Sequence, residues 1–452
     1  MKRRKYLLAF TFRLSPFLKR FKYRLPFAFR LLPGFWLLAF GFQLLAFSPA
    51  KAASILIPMD DVQKDHLKSY GVAFWVLTIG QEVDWLLNYR GGSFMTNYAK
   101  GIEDECKIRG ISYEVIAEAK VNEIVTQITD PSVNMEIVKL EKAPRIAVYS
   151  PKNRFVDLDD AVILVLKYAE IPFDIIYDDE VLKGDLPKYD WLHLHHEDFT
   201  GQYSKNMRRY RNQLLFMEDK KLQEATARIH GFEKVSQMKL AVARRIRDFC
   251  AGGGFLFAMC SGADSFDIAL AAANTDICGE VYDGDAADPK AQSKLDFSQT
   301  LAFRNFNVDI NPYSHQFSDI DVSHSRRITQ SEDFFTLFDF SAKWDIVASM
   351  LTQDHDRVIK GFRGLATAFN IEKLKPGVTI LGELKSANEA RYIHGEFGKG
   401  QWTFYGGHDP EEYMPNPSKQ STDLSLHPNS PGYRLILNNV LFPAARKKKQ
   451  KT

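Results

Sequence analysis

The chain has 452 residues, of which 45% are hydrophobic and 25% charged, as in ordinary globular proteins. Its formal charge of +3 comes from residues 1–52, which hold 11 of the 59 basic residues and none of the 56 acidic ones. The rest carries 48 basic and 56 acidic residues, a net charge of −8. The overall positive charge is therefore a property of residues 1–52, and we predict no nucleic-acid partner.

Residues 1–52 have the pattern of a signal peptide. Ten Lys or Arg precede residue 31, and residues 31–47 form a 17-residue apolar run. The sequence Ala-Lys-Ala at 50–52 fits the small-x-small rule for cleavage before Ala53. We therefore predict an exported protein, periplasmic or secreted, with no stable membrane span after cleavage. The alternative is an uncleaved membrane anchor, for which the apolar run has only marginal length.

Residues 53–142 are predicted to be an N-terminal α/β segment. Apolar runs bounded by turn residues predict three strands, and apolar residues at helical spacing predict two helices between them. Because strands and helices alternate, we expect the strands to pair in parallel. The predicted strands are 55–60, 83–89 and 112–116, and the predicted helices are 66–77 and 102–109.

Residues 143–445 repeat this alternation and are predicted to form an α/β domain with a doubly wound parallel sheet. Within it, residues 301–381 are predicted to be a β-rich insertion, with strands at 344–350 and 358–362. Residues 446–452 are a basic tail. The other predicted strands are 145–149, 173–177, 189–195, 255–259 and 401–405, and the predicted helical regions are 159–169, 204–250 and 432–441.

Three of these strands end in residues that could do chemistry, and the carboxyl ends of parallel strands meet at one edge of a sheet. Cys260 lies between a strand and a helix, where the positive helix end lowers a thiol pKa. We predict Cys260 as nucleophile, His408 as general base and Glu411 as the group that orients the base. The backbone N–H groups of Ser261 and Gly262 would stabilise an oxyanion.

A second hypothesis is a metal site. His193 and His195 share one strand face and could bind a divalent metal with Glu197 or Asp198, with His196 beside them. Core packing and local hydrogen bonds are the alternative explanation for these side chains, as a buried small hydrophobe is for Cys260. We predict no other cofactor. The four cysteines lack a CxxC spacing, and the pair Cys250 and Cys278 is a candidate disulfide in an exported protein.

The sequence Phe257-Ala258-Met259-Cys260-Ser261-Gly262 resembles the nucleophile elbow of the class I glutamine-amidotransferase-like fold, with Ala258 in place of the first elbow glycine. His408-Asp409-Pro410-Glu411 resembles that family's His-Pro-Glu element with one residue inserted. Residues 398–409 also resemble the last strand of the trehalose-utilisation-like branch, which typically lacks the cysteine triad. The resemblance covers about residues 144–440. It implies a flavodoxin-like sheet and a cysteine amidase or hydrolase that acts on a small-molecule or peptide carboxamide.

Residues 189–202 and 429–445 are similar to exported bacterial proteins labelled asparagine synthetase B. Residues 261–265 are one residue short of the Ser-Gly-Gly-x-Asp-Ser loop that cradles ATP pyrophosphate in asparagine synthetases. Lys2, and not the cysteine nucleophile of those enzymes, follows the initiator Met. Four hypotheses thus follow: a cysteine hydrolase, a non-catalytic binding or scaffold protein on the same fold, a metal-dependent hydrolase, and an asparagine-synthetase-like protein.

Overall fold

A computed structural model describes residues 52–151, 160–205, 210–326, 328–352, 356–361, 366, 368–411 and 422–445. The predicted signal peptide up to Lys51 and the basic tail lie outside these residues. Ala52–Thr452 forms one compact unit. Among the described helices, none combines the length and the apolar character that crossing a bilayer requires.

The first sheet has five strands in the order β4-β1-β3-β2-β5, and every pair is antiparallel. The parallel pairing predicted for this segment is therefore wrong. The reason is a hairpin: a turn with Asn88 and Gly92 in the left-handed region joins β2 to β3, a strand that was not predicted from the sequence. The elements are β1 (Ala52–Ile57), α1 (His66–Thr78), β2 (Val83–Leu87), β3 (Ser93–Asn97), α2 (Lys100–Arg109), β4 (Glu114–Ala117), α3 (Glu118–Thr129) and β5 (Glu136–Leu140).

The second sheet contains the remaining strands. Its elements are β6 (Ile146–Tyr149), α4 (Ala161–Tyr168), β7 (Asp174–Ile176), α5 (Asp178–Lys183), β8 (Trp191–Leu194), α6 (Leu214–Ile229), α7 (Val235–Gly252), β9 (Phe255–Met259), α8 (Ser261–Ala271), α9 (Glu280–Asp283), α10 (Ala291–Lys294), β10 (Phe334–Leu337), α11 (Ala348–Leu351), β11 (Val358–Lys360), β12 (Phe369–Asn370), β13 (Thr379–Leu384), β14 (Glu389–Phe397), β15 (Gly400–Tyr405) and α12 (Pro431–Leu441).

Half of this sheet is parallel, in the order β7-β6-β8-β9-β15. Beyond β15 the strands β14, β13, β10 and β11 continue it in antiparallel pairing, and β12 pairs with β14. A mixed α/β fold with parallel strands is thus confirmed, but the sheet is not parallel throughout. The strand predicted at 344–350 is wrong, since its last three residues begin α11.

One hydrophobic core joins the two sheets. It contains Trp85 of the first sheet, Trp191 of the second, and apolar residues of α1, α4 and α12. The Tyr70 hydroxyl in α1 donates to Oδ1 of Asn438 in α12, and Arg434 Nη2 donates to the Gly91 carbonyl at 2.5 Å. The last helix therefore closes the core over the first sheet.

His394 makes stability depend on pH. Its ring is buried in β14, 3.0 Å from Thr403 Oγ1, and burial lowers its pKa to about 4. The unfolded chain binds this proton below pH 6.5 and the folded protein does not, so stability is lost as pH falls from 6.5 towards 4. We expect His394→Gln to remove about 2 kcal/mol of this loss between pH 7.5 and pH 5, measured by urea unfolding at pH 7.5, 6 and 5. The exposed His324→Gln should keep the wild-type profile, and an unchanged slope in His394→Gln would contradict the assignment.

Candidate active site

The ends of β8, β9 and β15 lie side by side. Parallel pairing aligns Leu194 with Ala258, and Met259 with Tyr405. The backbone N–H of Cys260 donates to the Gly407 carbonyl at 3.1 Å. The segments that carry His195, Cys260 and His408 therefore share one edge of the sheet.

Cys260 adopts a strained backbone. Its φ of 51° and ψ of −142° lie outside the regions that L-residues favour, and this residue is the link between β9 and α8. The turn is tight because Gly262, one residue into α8, packs on the end of β8. A Cβ at Gly262 would overlap the carbonyl oxygen of His195. Glycine is therefore required for this close approach of helix and strand.

The Cys260 thiol is 3% exposed and free, and its sulfur has no hydrogen-bond partner among the described residues. The predicted pair of Cys260 Sγ and a His408 nitrogen is thus not formed there as a hydrogen bond, although the Cys260 backbone N–H donates to Gly407, the residue before His408. Ser261 and Gly262 are the first two residues of α8, so their N–H groups have no intrahelical acceptor. Helix geometry therefore leaves these two donors beside the sulfur-bearing residue.

The other cysteines differ from Cys260 in their surroundings. All four are free, so the candidate disulfide between Cys250 and Cys278 is not formed. Burial raises the pKa of Cys106 and of Cys250 to about 12. Burial also raises the pKa of Cys278 well above its usual range. These three thiols are held in the unreactive protonated form at neutral pH.

Four histidines and one carboxylate form a cluster at this edge, which we call the histidine cluster. The rings of His195 and His408 stack with centroids 4.6 Å apart, and the His196 ring lies 4.7 Å from that of His195. Oδ2 of Asp160 lies 3.5 Å from His193 Nε2 and 3.2 Å from His195 Nδ1. The structure thus brings together all the predicted histidines.

Asp160 is the member that the sequence analysis missed. Its Oδ1 caps α4 by accepting from the N–H groups of Val162 and Ile163, at 2.8 and 3.0 Å. Burial would raise the pKa of Asp160, but the neighbouring His195 and His193 outweigh burial and hold that pKa well below its usual range. Burial lowers the pKa of His195, against the opposing effect of Asp160. In sequence, an Asp directly before an apolar helix predicts an N-cap. It does not predict that the second carboxylate oxygen faces the histidines.

The carboxylates predicted as metal ligands have other contacts. Glu197 Oε2 accepts from the Tyr177 hydroxyl at 2.8 Å. Asp198 Oδ1 accepts from Thr200 N at 2.7 Å, and its Oδ2 accepts from Ser204 N at 2.8 Å. Two groups of described residues near the histidines could hold a metal: Asp160 with His193 and His195, and His195 with His196 and His408. Neither group contains Glu197 or Asp198.

Glu411 does not lie in the histidine cluster as described. Its Oε2 is 3.4 Å from His427 Nδ1, and its backbone N–H donates to Asp409 Oδ1 at 2.8 Å. Among the described residues, the structure shows no hydrogen bond or ion pair between Glu411 and His408. The carboxylate that faces the histidines is again that of Asp160.

A buried ion pair supports the loop after β8. Lys239 Nζ in α7 lies 3.0 Å from Asp178 Oδ2, and both side chains are 1% exposed. The same ammonium group donates to the hydroxyls of Tyr149 and Tyr177, at 3.0 and 3.1 Å. Since Tyr177 donates to Glu197, the ion pair is linked to the residues that follow the predicted histidines.

A cavity of about 910 Å³ opens at the opposite edge of the sheet. Its walls include Arg145, Asp190, Phe255 and Gly400, which lie at the amino ends of the parallel strands. The chemistry-bearing residues are at the carboxyl ends, so this cavity does not belong to the histidine cluster.

Comparisons with known proteins do not assign a family. No family model matches the chain, and no curated protein matches it. Two Salmonella typhimurium cytoplasmic proteins, STM3548 and STM1381 of strain LT2, are 10% and 12% identical, with TM-scores of 0.33 and 0.32. Each alignment covers 67% of this chain and 100% of the other. The GH42 β-galactosidase Gan42B is 13% identical with a TM-score of 0.26, over 59% of this chain and 28% of the enzyme. Scores this low establish neither a shared fold nor a function.

Proposed function

We propose that the protein is a cysteine-dependent hydrolase whose active site lies at the carboxyl edge of β8, β9 and β15. The observation that carries the proposal is the backbone of Cys260, with φ of 51° and ψ of −142°, between a buried strand and a helix. Holding a non-glycine residue there costs about 1–3 kcal/mol, and such strain concentrates at functional sites. A strained strand-to-helix turn is also how α/β hydrolases present their nucleophile.

In this mechanism, Cys260 Sγ attacks the carbonyl carbon of a small-molecule or peptide carboxamide. His408 accepts the thiol proton and gives it to the departing amine, which leaves a thioester on Cys260. Water then hydrolyses the thioester and restores the thiol. The N–H groups of Ser261 and Gly262 stabilise the oxyanion in both steps.

In this proposal His195, and not the predicted Glu411, orients the general base His408. The His195 ring stacks on that of His408, and Asp160 holds His195 from the other side. A carboxylate beside a histidine restricts the orientation of that ring. His408 would thus be positioned by packing against a histidine whose own position is fixed.

The proposal includes a class I glutamine-amidotransferase-like, doubly wound fold. In chain order, the parallel strands lie as second, first, third, fourth and fifth, which is the order of flavodoxin-like sheets. Such sheets bind ligands outside the carboxyl ends of their strands. The strand order and the position of Cys260 both support this part of the proposal.

We also propose export of the protein after cleavage before Ala53. Strand β1 spans Ala52–Ile57, so cleavage before Ala53 removes only its first residue and leaves the rest of the first sheet in the mature chain. The N-terminal residue of protein recovered from the periplasm or medium tests this, and recovery of an intact residue 1 would contradict it.

A second candidate function is ligand binding without catalysis. The low exposure of Cys260, and the lack of a hydrogen bond to its sulfur among the described residues, favour this candidate. No comparable observation favours an ATP loop, because residues 261–265 form the first turns of α8. The reactivity of the thiol separates the two candidates.

We expect iodoacetamide to label Cys260 of the full chain at least 10-fold faster than the other cysteines at pH 7.5. The reason is that Cys260 lies in the strained turn at the start of α8, beside backbone N–H groups that lack an intrahelical acceptor, whereas burial raises the pKa of the other three thiols and keeps them protonated. Peptide mass spectrometry over time measures the four rates. Cys260→Ser should abolish ammonia release from carboxamide substrates, and Cys250→Ser is the matched control. Equal labelling of Cys260 and Cys250 would favour binding without catalysis.

A further inference from the structure

We propose that Asp160, His193 and His195 bind a divalent transition-metal ion of the zinc type. This site shares Asp160 and His195 with the group that positions His408, but binding of the ion does not require a reactive Cys260 thiol. The three side chains are 0–2% exposed, and their ligand atoms all lie within 4.8 Å of one another. Imidazole nitrogen and carboxylate oxygen are ligands that Zn²⁺ takes in proteins.

The spacing fits a metal. Oδ2 of Asp160 is 3.5 Å from His193 Nε2 and 3.2 Å from His195 Nδ1. Ligands about 2.0–2.2 Å from a tetrahedral zinc ion stand roughly 3.3–3.6 Å apart. A charge-assisted hydrogen bond between a protonated histidine and a carboxylate is shorter, at about 2.7–2.9 Å. The observed separations are therefore closer to those of two ligands on one ion than to those of an ion pair.

The hydrogen bond of His193 Nδ1 shows that Nε2 is the ring nitrogen available to bind a metal. Nδ1 lies 3.2 Å from the carbonyl oxygen of Phe257. A carbonyl only accepts, so Nδ1 donates to it, which leaves Nε2 as the ring nitrogen that faces Asp160. Metal-binding histidines commonly donate their other N–H to a backbone carbonyl in this way.

Among the described residues, the ring nitrogens that face Asp160, His193 Nε2 and His195 Nδ1, have no hydrogen-bond partner. The same holds for His195 Nε2, and all three atoms are buried. The 3.2 Å contact between His195 and Asp160 thus has the distance of a hydrogen bond but not its angle. The two ring nitrogens and the Asp160 oxygen are buried and face one another. A cation between them would compensate for their lost hydration.

Three protein ligands leave a zinc ion one open position for water or substrate. His196 and His408 form a second group with His195, whose nitrogen atoms also lie within 4.8 Å of one another. They place two further ring nitrogens beside the proposed metal site, so the ion would add a second means of activating water at this edge.

The test uses the full chain, stripped with a chelator and titrated with Co²⁺. We expect one Co²⁺ per chain, the intense visible bands of tetrahedral cobalt, and displacement by one equivalent of Zn²⁺. Asp160→Asn and His193→Gln should each weaken Co²⁺ affinity at least 100-fold. His230→Gln is the matched control, because this histidine also faces a carboxylate, at 2.8 Å, but without a second histidine.

Two results would overturn the proposal. The first is the lack of a tetrahedral cobalt spectrum in the wild-type chain, a reading that no variant's folding affects. The second is a thiolate-to-cobalt absorption band that disappears in Cys260→Ser, since it would place the ion on the cysteine. Alkylation of Cys260 is measured separately in the chelator-treated protein, so failure of the metal site and failure of the cysteine mechanism are distinguishable.

Discussion

Lys239→Met is expected to destabilise the protein by about 3–5 kcal/mol, because it leaves Asp178 as a buried carboxylate without its cation. The Tyr149 hydroxyl still donates to Asp178, but a neutral donor does not replace a positive charge at 3.0 Å. The shift of the urea unfolding midpoint, read by circular dichroism at pH 7.5, measures this loss.

Two further variants test the cause of this loss. Lys183→Met removes an ammonium group 2.6 Å from Asp179, but that pair is exposed, so we expect at most about 1 kcal/mol. The double variant Lys239→Met with Asp178→Asn leaves no unpaired charge, and it should recover part of the lost stability. A Lys239→Met loss no larger than that of Lys183→Met would show that the buried pair is not ionic.

Gly262→Ala is expected to lower the free energy of unfolding by about 1–3 kcal/mol and to displace the start of α8. The added Cβ would overlap the His195 carbonyl oxygen, which is backbone and cannot rotate away. Because Cys260 begins the same turn, this variant should also lose the selective alkylation of Cys260. Thermal unfolding and the labelling rate are the two measurements.

Gly101→Ala is the matched control for this substitution. Gly101 is also the second residue of a helix, α2, but nothing lies within 4 Å of its Cβ position. Alanine should therefore stabilise the protein by about 0.4–1 kcal/mol there. If both variants had the same stability, the close packing of α8 on β8 would not be the reason for the glycine.

The strands at the centre of the second sheet were predictable because each is a short apolar run bounded by turn residues. The run 255–259 and β9 agree residue for residue. Pairing direction was not predictable in the first sheet, because alternating helices are typical of parallel units and only the hairpin at Asn88 reverses the chain. Strand β10, with the exposure pattern exposed-buried-exposed-buried, was not predicted because four residues are too short a run for a clear signal.

The histidines could be predicted as neighbours because strand alternation places His193 and His195 on one face. Their carboxylate could not, since Asp160 comes from a helix cap whose position over the sheet depends on tertiary packing. Glu197 was the nearer candidate in sequence. It contacts Tyr177 because the chain has already turned away from the strand.

The contacts between α1 and α12 bear on the order in which the chain can fold. Tyr70 and Asn438 are 368 positions apart, and Glu141 N pairs with Ala444 O at 3.0 Å. During synthesis, the apolar face of the first sheet therefore stays uncovered until nearly the whole chain has been made, because α12 is the last α-helix of the described chain. Closing so long a loop is slow, and exposed apolar surface promotes aggregation during that delay. Truncations near residue 430 should consequently affect folding yield far more than their small size suggests.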